Sequence, residues 1–405
     1  MNDSNGRHTH FVSGIDRDQI QVGPPPHIDE TEITVMAMEK QMRTLLDAYG
    51  VELPISLSDL GEKDIQLDFL VDGILAAGQS GIIAGASKTL KTSLAVDLSM
   101  SLAFGLDFLG AYPVTKPRRV LMFTIESGEY MIKDTCLRVA KAKSISKAEW
   151  ADQIHFHCDW APTAGNSEHI DILRLMIRDT EADVVILDPT YLMIDGDNMA
   201  NIQKQGTELR NLADAVLTEG ATPLLVDHIK LTSGNAKEHR PLELGDLSGA
   251  GKAAVFRQWV LVSRRERFVA GSDNHRLWMT TGGSHGFHSE TALDINEARD
   301  VIGSRNWGVE TIDAAEAARE VAEKKKEAAE AKKQETRERH VAELWEAYVK
   351  ASPDGLTDRK AKSMTSLNSP NFQAAKAALI NRSRIEETVY LAKNKQQYEA
   401  YRCTQ

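Results

Sequence analysis

Between residues 67 and 302, short apolar runs alternate with longer segments whose apolar residues recur every three or four positions. The runs at 81–84, 119–125, 154–158, 184–187 and 222–226 read as strands. The segments at 93–104, 130–142, 170–180 and 202–219 read as helices, and residues 253–262 and 277–280 complete the sheet. Apart from 154–158, the strand runs are mainly apolar at successive positions rather than at every second one. Such strands are buried on both faces, as in a mostly parallel sheet covered by helices. The expected class is therefore α/β, with ligands beyond the carboxyl ends of the strands.

The flanks have a different pattern. Residues 1–29 are polar and reach three prolines at 24–26, which reads as a disordered tail without a signal peptide. Residues 35–49 carry Met38, Met42, Leu45 and Leu46 at helical spacing and stop at Gly50. This helix packs either on a neighbouring subunit or on its own domain. Residues 313–340 are rich in Ala, Glu, Lys and Arg without Gly or Pro, and read as an exposed helical linker. Beyond it, helices at 341–349, 358–366 and 371–381 and a hairpin at 385–402 outline a winged helix. The expected division is a tail (1–34), a helical arm (35–66), the α/β core (67–302), a charged linker (303–340) and a winged-helix-like domain (341–405).

Composition changes this picture in three respects. The net charge of -11 over 405 residues argues against a molecule held on nucleic acid by bulk charge, and leaves room for local basic surface. The last domain supplies such residues in Arg359, Lys360, Lys362, Lys376, Arg382, Arg384, Lys393, Lys395 and Arg402. The three cysteines, Cys136, Cys158 and Cys403, lack paired spacing and suit a reducing cytoplasm. No apolar run reaches the roughly 20 residues of a membrane helix. His155, His157 and Cys158 cluster in sequence, but strand packing explains them better than a metal site.

The chemistry concentrates at strand tips. Gly85, Ala86, Ser87, Lys88, Thr89, Leu90, Lys91, Thr92 and Ser93 form a strand-loop-helix corner with the makings of a phosphate loop. Backbone N–H groups and a helix N-terminus receive phosphate, Lys91 pairs with its charge, and the Thr92 hydroxyl suits magnesium. Leu90 stands where a second glycine is usual, and a side chain there would restrict the loop. Asp188 ends the buried run 184–187, in the form of a carboxylate delivered toward magnesium. Pro189 follows it, so a general base must come from another strand. Glu126, beyond the run 119–125, is the candidate, able to polarise an attacking water. Asp227 and His228 end the run 222–226, and His228 is a candidate γ-phosphate sensor. A small-residue loop from Gly245 to Lys252 precedes Arg257. Arg257 or Lys252 would reach a neighbouring subunit's γ-phosphate.

Together the phosphate loop, Glu126, Asp188-Pro189, Asp227-His228-Ile229-Lys230 and the loop before Arg257 resemble the RepA-type, AAA_25 branch of RecA-like ATPases. These are hexameric DNA helicases and related ATPases of plasmids, phages and mobile elements. The resemblance spans residues 67–302 and implies a RecA-like fold, ATP and Mg2+ as ligands, and a homo-oligomer, most simply a hexamer. It implies that Lys91 and Thr92 bind phosphate and magnesium, that Glu126 is the base, that Asp188 serves magnesium, that His228 is the sensor, and that Arg257 is an arginine finger in trans. Asp227 departs from the second histidine common in the family. The function implied is an ATP-driven DNA motor or helicase in replication or recombination, in the cytoplasm. Single-stranded DNA would pass through the ring, and duplex DNA would meet the C-terminal domain. A loader ATPase that does not unwind DNA and a nucleotide-gated scaffold are the alternatives.

Overall fold

The computed structural model describes residues 30–49, 53–150, 152–195, 202–229, 239–247, 254–269, 271–300, 303–393 and 395–404. The 1–29 tail, Lys230 and residues 248–253, Lys252 among them, lie outside the described residues. The chain divides after Gln66 into two units. The first holds α1 (Glu30–Tyr49) and α2 (Leu57–Glu62). Ser56 caps α2 by accepting from the Asp59 N–H. On α1, the expected apolar residues Met38, Met42 and Leu45 are all exposed.

The second unit begins with a small antiparallel ribbon, β1 (Phe69–Val71) and β2 (Leu75–Ala76). There follow β3 (Gly81–Gly85), α3 (Lys91–Phe104), β4 (Val120–Thr124), α4 (Gly128–Ala142), β5 (Ile154–His157) and α5 (Ser167–Thr180). Next come β6 (Val184–Asp188), α6 (Ile202–Thr218), β7 (Thr222–His228), β8 (Gln258–Arg264), β9 (Asn274–Gly283), β10 (His288–Asn296) and β11 (Gly308–Asp313). These last nine long strands make one sheet in the order β11-β10-β9-β8-β3-β7-β6-β4-β5. The six strands from β8 to β5 are parallel, and β9, β10 and β11 extend the β8 edge in antiparallel fashion.

β3, β4 and β6 are buried at every position, which is why their sequences are apolar without alternation. On one face, Leu94, Leu98 and Leu102 of α3 and Val139 of α4 pack on Ile83, Met122 and Ile186. On the other, Leu173 and Ile177 of α5 and Leu209 and Leu212 of α6 pack on Ile82, Leu121, Val185 and Leu225. The buried Gln258 amide ties the start of β8 to the ribbon, accepting from Ala76 N and donating to the Ala76 and Gln79 carbonyls. Asp97 on α3, also buried, accepts from Leu109 N and from the Trp307 indole. Two elements far apart in sequence are thereby fastened to the helix that follows the phosphate loop.

The structure corrects two expected boundaries. The sheet does not end near residue 302, because β11 lies within the expected linker. Its half-exposed pattern hides it from a search for continuous apolar runs. The helix expected at 341–349 is not separate either. It is the end of α7 (Ala314–Lys350), 37 residues without Gly or Pro and so about 55 Å long. The base of α7 packs on the sheet through Ala317, against Trp278 and Ala292. Arg265, only 1% exposed, pairs with Asp294 and reaches Glu320 of α7, which also binds Arg276.

The far end of α7 joins α8 (Asp358–Ser363), α9 (Ser369–Asn381) and the hairpin β12 (Ile385–Leu391) and β13 (Gln397–Cys403). Leu344, Tyr348, Leu356, Phe372, Leu379 and Ile385 form their shared core. Much of the basic set in this region is engaged within the chain. Lys376 is buried on Asp358 and over the Tyr401 ring, Arg382 binds Glu338, Arg402 binds Glu386, and Arg384 lies over Trp345. Arg359, Lys360, Lys393 and Lys395 are exposed. The outer residues of α9, Gln373, Ala374, Ala377 and Ile380, carry no charge.

Arg265→Ala removes the buried cation that joins β10 to α7. Destabilisation of about 3 kcal/mol is expected, measured as a shift in the denaturant midpoint at constant slope.

Candidate active site

β3 ends at Gly85, where the chain must turn at once. A Cβ on Gly85 would lie 2.3 Å from the Val262 carbonyl oxygen, so a side chain does not fit. Lys88 and Leu90 adopt left-handed backbone at φ 64° and 62°, which costs about 1 kcal/mol for each non-glycine residue. The half-buried Leu90 packs against the core beside α3. Its side chain is thus turned to packing, which offsets the strain at a position where glycine would be relaxed. Thr89 closes the loop by donating to the Ala86 carbonyl at 2.8 Å. α3 starts at Lys91, so its unpaired first-turn N–H groups and its dipole face the loop.

Lys91 is buried. Its Nζ donates to the Gly85 and Ala86 carbonyls at 3.0 and 2.9 Å and lies 3.1 Å from His228 Nδ1. Burial pulls its pKa down to about 8, against the attraction of Asp188, Asp227 and Glu126. Thr92 donates to Asp188 Oδ2 at 2.6 Å. Asp188 is also buried, and burial raises it to about 6 against the Thr92 hydrogen bond and the Lys91 charge. A hydroxyl and a carboxylate in contact form a hard oxygen pair, which fits Mg2+.

The neighbouring strands bring their tips to the same end of the sheet. Gly85 pairs with His228 across β3 and β7, and Thr124 pairs with Asp188 across β4 and β6. Glu126, two residues past β4, is exposed and accepts a hydrogen bond from the Tyr191 hydroxyl. The Tyr191 ring lies 5.6 Å from the His228 ring. Buried Asp227 accepts from the His228 backbone N–H at 2.7 Å. Lys91, Thr92, Glu126, Asp188 and His228 therefore converge on one place from four strands.

Two of the sequence-selected residues lie elsewhere. Ser93 is buried, and its hydroxyl accepts from Arg138 of α4 at 2.8 Å, so it braces α3 from behind. Arg257 is exposed at the amino end of β8, where its N–H donates to Ser80 O at 2.9 Å. It therefore lies at the opposite end of the strands from its own phosphate loop, in a cavity of about 600 Å³ shared with Arg210 and Ser284. Ser87 and Lys88 are exposed at the loop tip.

Two residues near the site escaped the sequence. Arg264, at the carboxyl tip of β8, donates to the Lys88 carbonyl and stacks over Phe268. Tyr191 belongs to a single turn, Thr190–Met193, directly after Asp188-Pro189. Arg264 had a usable signal, since it ends a strand on the phosphate-loop side of the sheet. Tyr191 had none, because aromatic residues in turns are common.

Residues 52–233 match the AAA_25 family, an AAA domain. The matched segment carries the phosphate loop, Glu126, Asp188 and His228. No curated protein matches the chain. Among solved structures, a KaiC-like protein from the hyperthermophilic archaeon Pyrococcus horikoshii OT3 is similar at 12% identity and a TM-score of 0.37. That likeness covers 60% of this chain and 98% of the other.

A Mg-ATP ligand at this site would need Asp188 ionised and Lys91 charged. Affinity for Mg-ATP should therefore fall as the pH drops through about 6 and again as it rises through about 8. Fluorescent-nucleotide titration across pH measures this. In Asp188→Asn the acid-side fall should vanish, together with most of the magnesium dependence.

Proposed function

Taking the ATPase domain at residues 52–233 as premise, we propose that the chain is an ATP-driven DNA motor assembled from several copies, most simply a hexameric helicase of replication or recombination in the cytoplasm. ATP and Mg2+ are its cofactors. The observation that carries this reading is the placement of Arg257, exposed and at the far end of the strands from the loop of its own chain. A guanidinium so placed is out of reach of its own chain's loop, which supports its acting on a nucleotide held by another copy. Across an interface it would stabilise charge developing on the γ-phosphate.

In this scheme Lys91 and the loop N–H groups bind the phosphates. Thr92 and Asp188 would hold Mg2+, which would supply screening of the phosphate charge. Glu126 draws a proton from the attacking water as the water's oxygen bonds to the γ-phosphorus, while the bond from that phosphorus to the β,γ-bridging oxygen breaks and ADP leaves with the electron pair. His228, already at Lys91 Nζ, senses whether the γ-phosphate is present. Changes at the β7 tip would then pass into the segment that follows it. Single-stranded DNA would occupy the centre of the ring.

The C-terminal helices and hairpin fit a winged helix. Their exposed cations, Arg359, Lys360, Lys393 and Lys395, suit contact with duplex phosphates. The uncharged outer face of α9 favours a second reading for this domain, as a protein-docking module on a loader ATPase or a nucleotide-gated scaffold.

Lys91→Ala should lose ATP binding. Glu126→Gln should retain binding while hydrolysis falls by about 10³-fold. Arg257→Ala should lose turnover to a similar extent and regain part of it when mixed with wild-type chains, which supply the missing cation. Hydrolysis and strand-displacement assays on the same samples check these outcomes. Full turnover in Arg257→Ala, or a chain that stays monomeric with ATP and DNA, would remove the interface mechanism. Hydrolysis stimulated by DNA without displacement would favour the loader.

A further inference from the structure

A base at the tip of a strand needs more than proximity. Its carboxylate must be held so that one oxygen faces the water, and a free glutamate side chain has several rotatable bonds to fix. Glu126 is exposed and lies beyond the end of β4, so the sheet itself does not immobilise it. Its Oε1 nevertheless has a fixed partner in the Tyr191 hydroxyl.

Tyr191 is itself firmly placed. On one side Thr190 is fully buried, and its hydroxyl donates to the Val226 carbonyl of β7 at 2.8 Å. On the other, Met193 is fully buried in the core and its carbonyl accepts from Ala164 N at 2.8 Å. The turn is thus anchored to β7 and to the loop before α5, with Asp188 at the end of the strand that leads into it. The Tyr191 ring meets the His228 ring, and His228 Nδ1 is at the Lys91 ammonium. Lys91, His228, Tyr191 and Glu126 therefore form a continuous row across β3, β7, the turn after β6 and β4.

We infer that Tyr191 is the positioning residue of Glu126, holding one carboxylate oxygen by its hydroxyl so that the other faces the attacking water, while its ring sets that geometry against His228. This rests on the reading of Glu126 as the base. The phenol is a dependable donor, since its hydrogen bond to Glu126 and its burial push its pKa up to about 12. Tyr191 takes no proton in the reaction. It reduces the number of arrangements the base must search, and misplacement of such a group by about 1 Å costs on the order of 100-fold in rate. The row also gives His228 a route to the base, because a shift of its ring would move the Tyr191 hydroxyl.

The test is steady-state ATP hydrolysis by the full chain, with thermal midpoint and nucleotide affinity measured alongside. Tyr191→Phe keeps the ring and loses only the hydroxyl. It should lower kcat by roughly 10- to 100-fold, with KM, nucleotide affinity and thermal midpoint as in the wild type. Tyr191→Ala also loses the ring contact with His228 and should be at least as slow. In a Glu126→Asp background, whose shorter arm withdraws from the phenol, the added effect of Tyr191→Phe should shrink to about twofold or less. Wild-type kcat in Tyr191→Phe would overturn the inference. So would a raised kcat, which would make the tyrosine a restraint on the base, or a loss shared equally by kcat, affinity and thermal midpoint. If Glu126→Gln itself hydrolyses ATP normally, the base assignment fails first and the positioning role with it. If Glu126→Gln is inactive and Tyr191→Phe is normal, only the positioning role fails.

Discussion

Burial on both faces of a parallel sheet leaves its strands nowhere to carry polar chemistry except their ends. β3, β4 and β6 obey this constraint at every position, and each is followed or ended by a residue of the site. Parallel register then converts a one-dimensional rule into a three-dimensional one. Because Gly85 lies level with His228, and Thr124 with Asp188, the residues just past these points meet. The Thr92–Asp188 hydrogen bond is the direct product, joining the first turn of α3 to the tip of β6. The low local polarity that raises Asp188 and lowers Lys91 comes from the same packing. Neither group is comfortable in its charged form there, and a ligand carrying both phosphate and magnesium would satisfy the two together.

The same constraint explains what could be read from the sequence. Continuous apolar runs revealed most of the parallel strands, and the polar residues ending the runs at 184–187 and 222–226 were among those that converge in the structure. Leu90 was the one apparent flaw in the phosphate loop, and its packing beside α3 accounts for it. What escaped was set by partners rather than by local pattern. β11 is half exposed because it is the edge strand, so it lacked an apolar signature. Tyr191 and Arg264 gain meaning only from a distant carboxylate and a distant carbonyl. The basic residues of the C-terminal region counted as free charge in sequence, yet Lys376, Arg382 and Arg402 have carboxylates of their own.

Beyond the ATPase sheet, the architecture is one of extension. β9, β10 and β11 widen the sheet at the β8 edge, and α7 leaves from there toward the C-terminal core. Arg264 and Arg265 are adjacent, yet one touches the phosphate loop and the other fastens β10 and α7. The base of the long helix is thereby one residue removed from the nucleotide loop. The buried Arg138, between Ser93 and Glu297, provides a second brace behind α3.

The most direct measurement is a structure of the chain with Mg2+ and a non-hydrolysable ATP analogue. Lys91 Nζ should exchange the Gly85 and Ala86 carbonyls for β- and γ-phosphate oxygens, with Mg2+ at Thr92 beside Asp188. Arg257 of an adjoining copy should face the γ-phosphate. A nucleotide seated away from the 85–92 loop, or one whose γ-phosphate faces solvent with every copy's Arg257 remote, would contradict this arrangement.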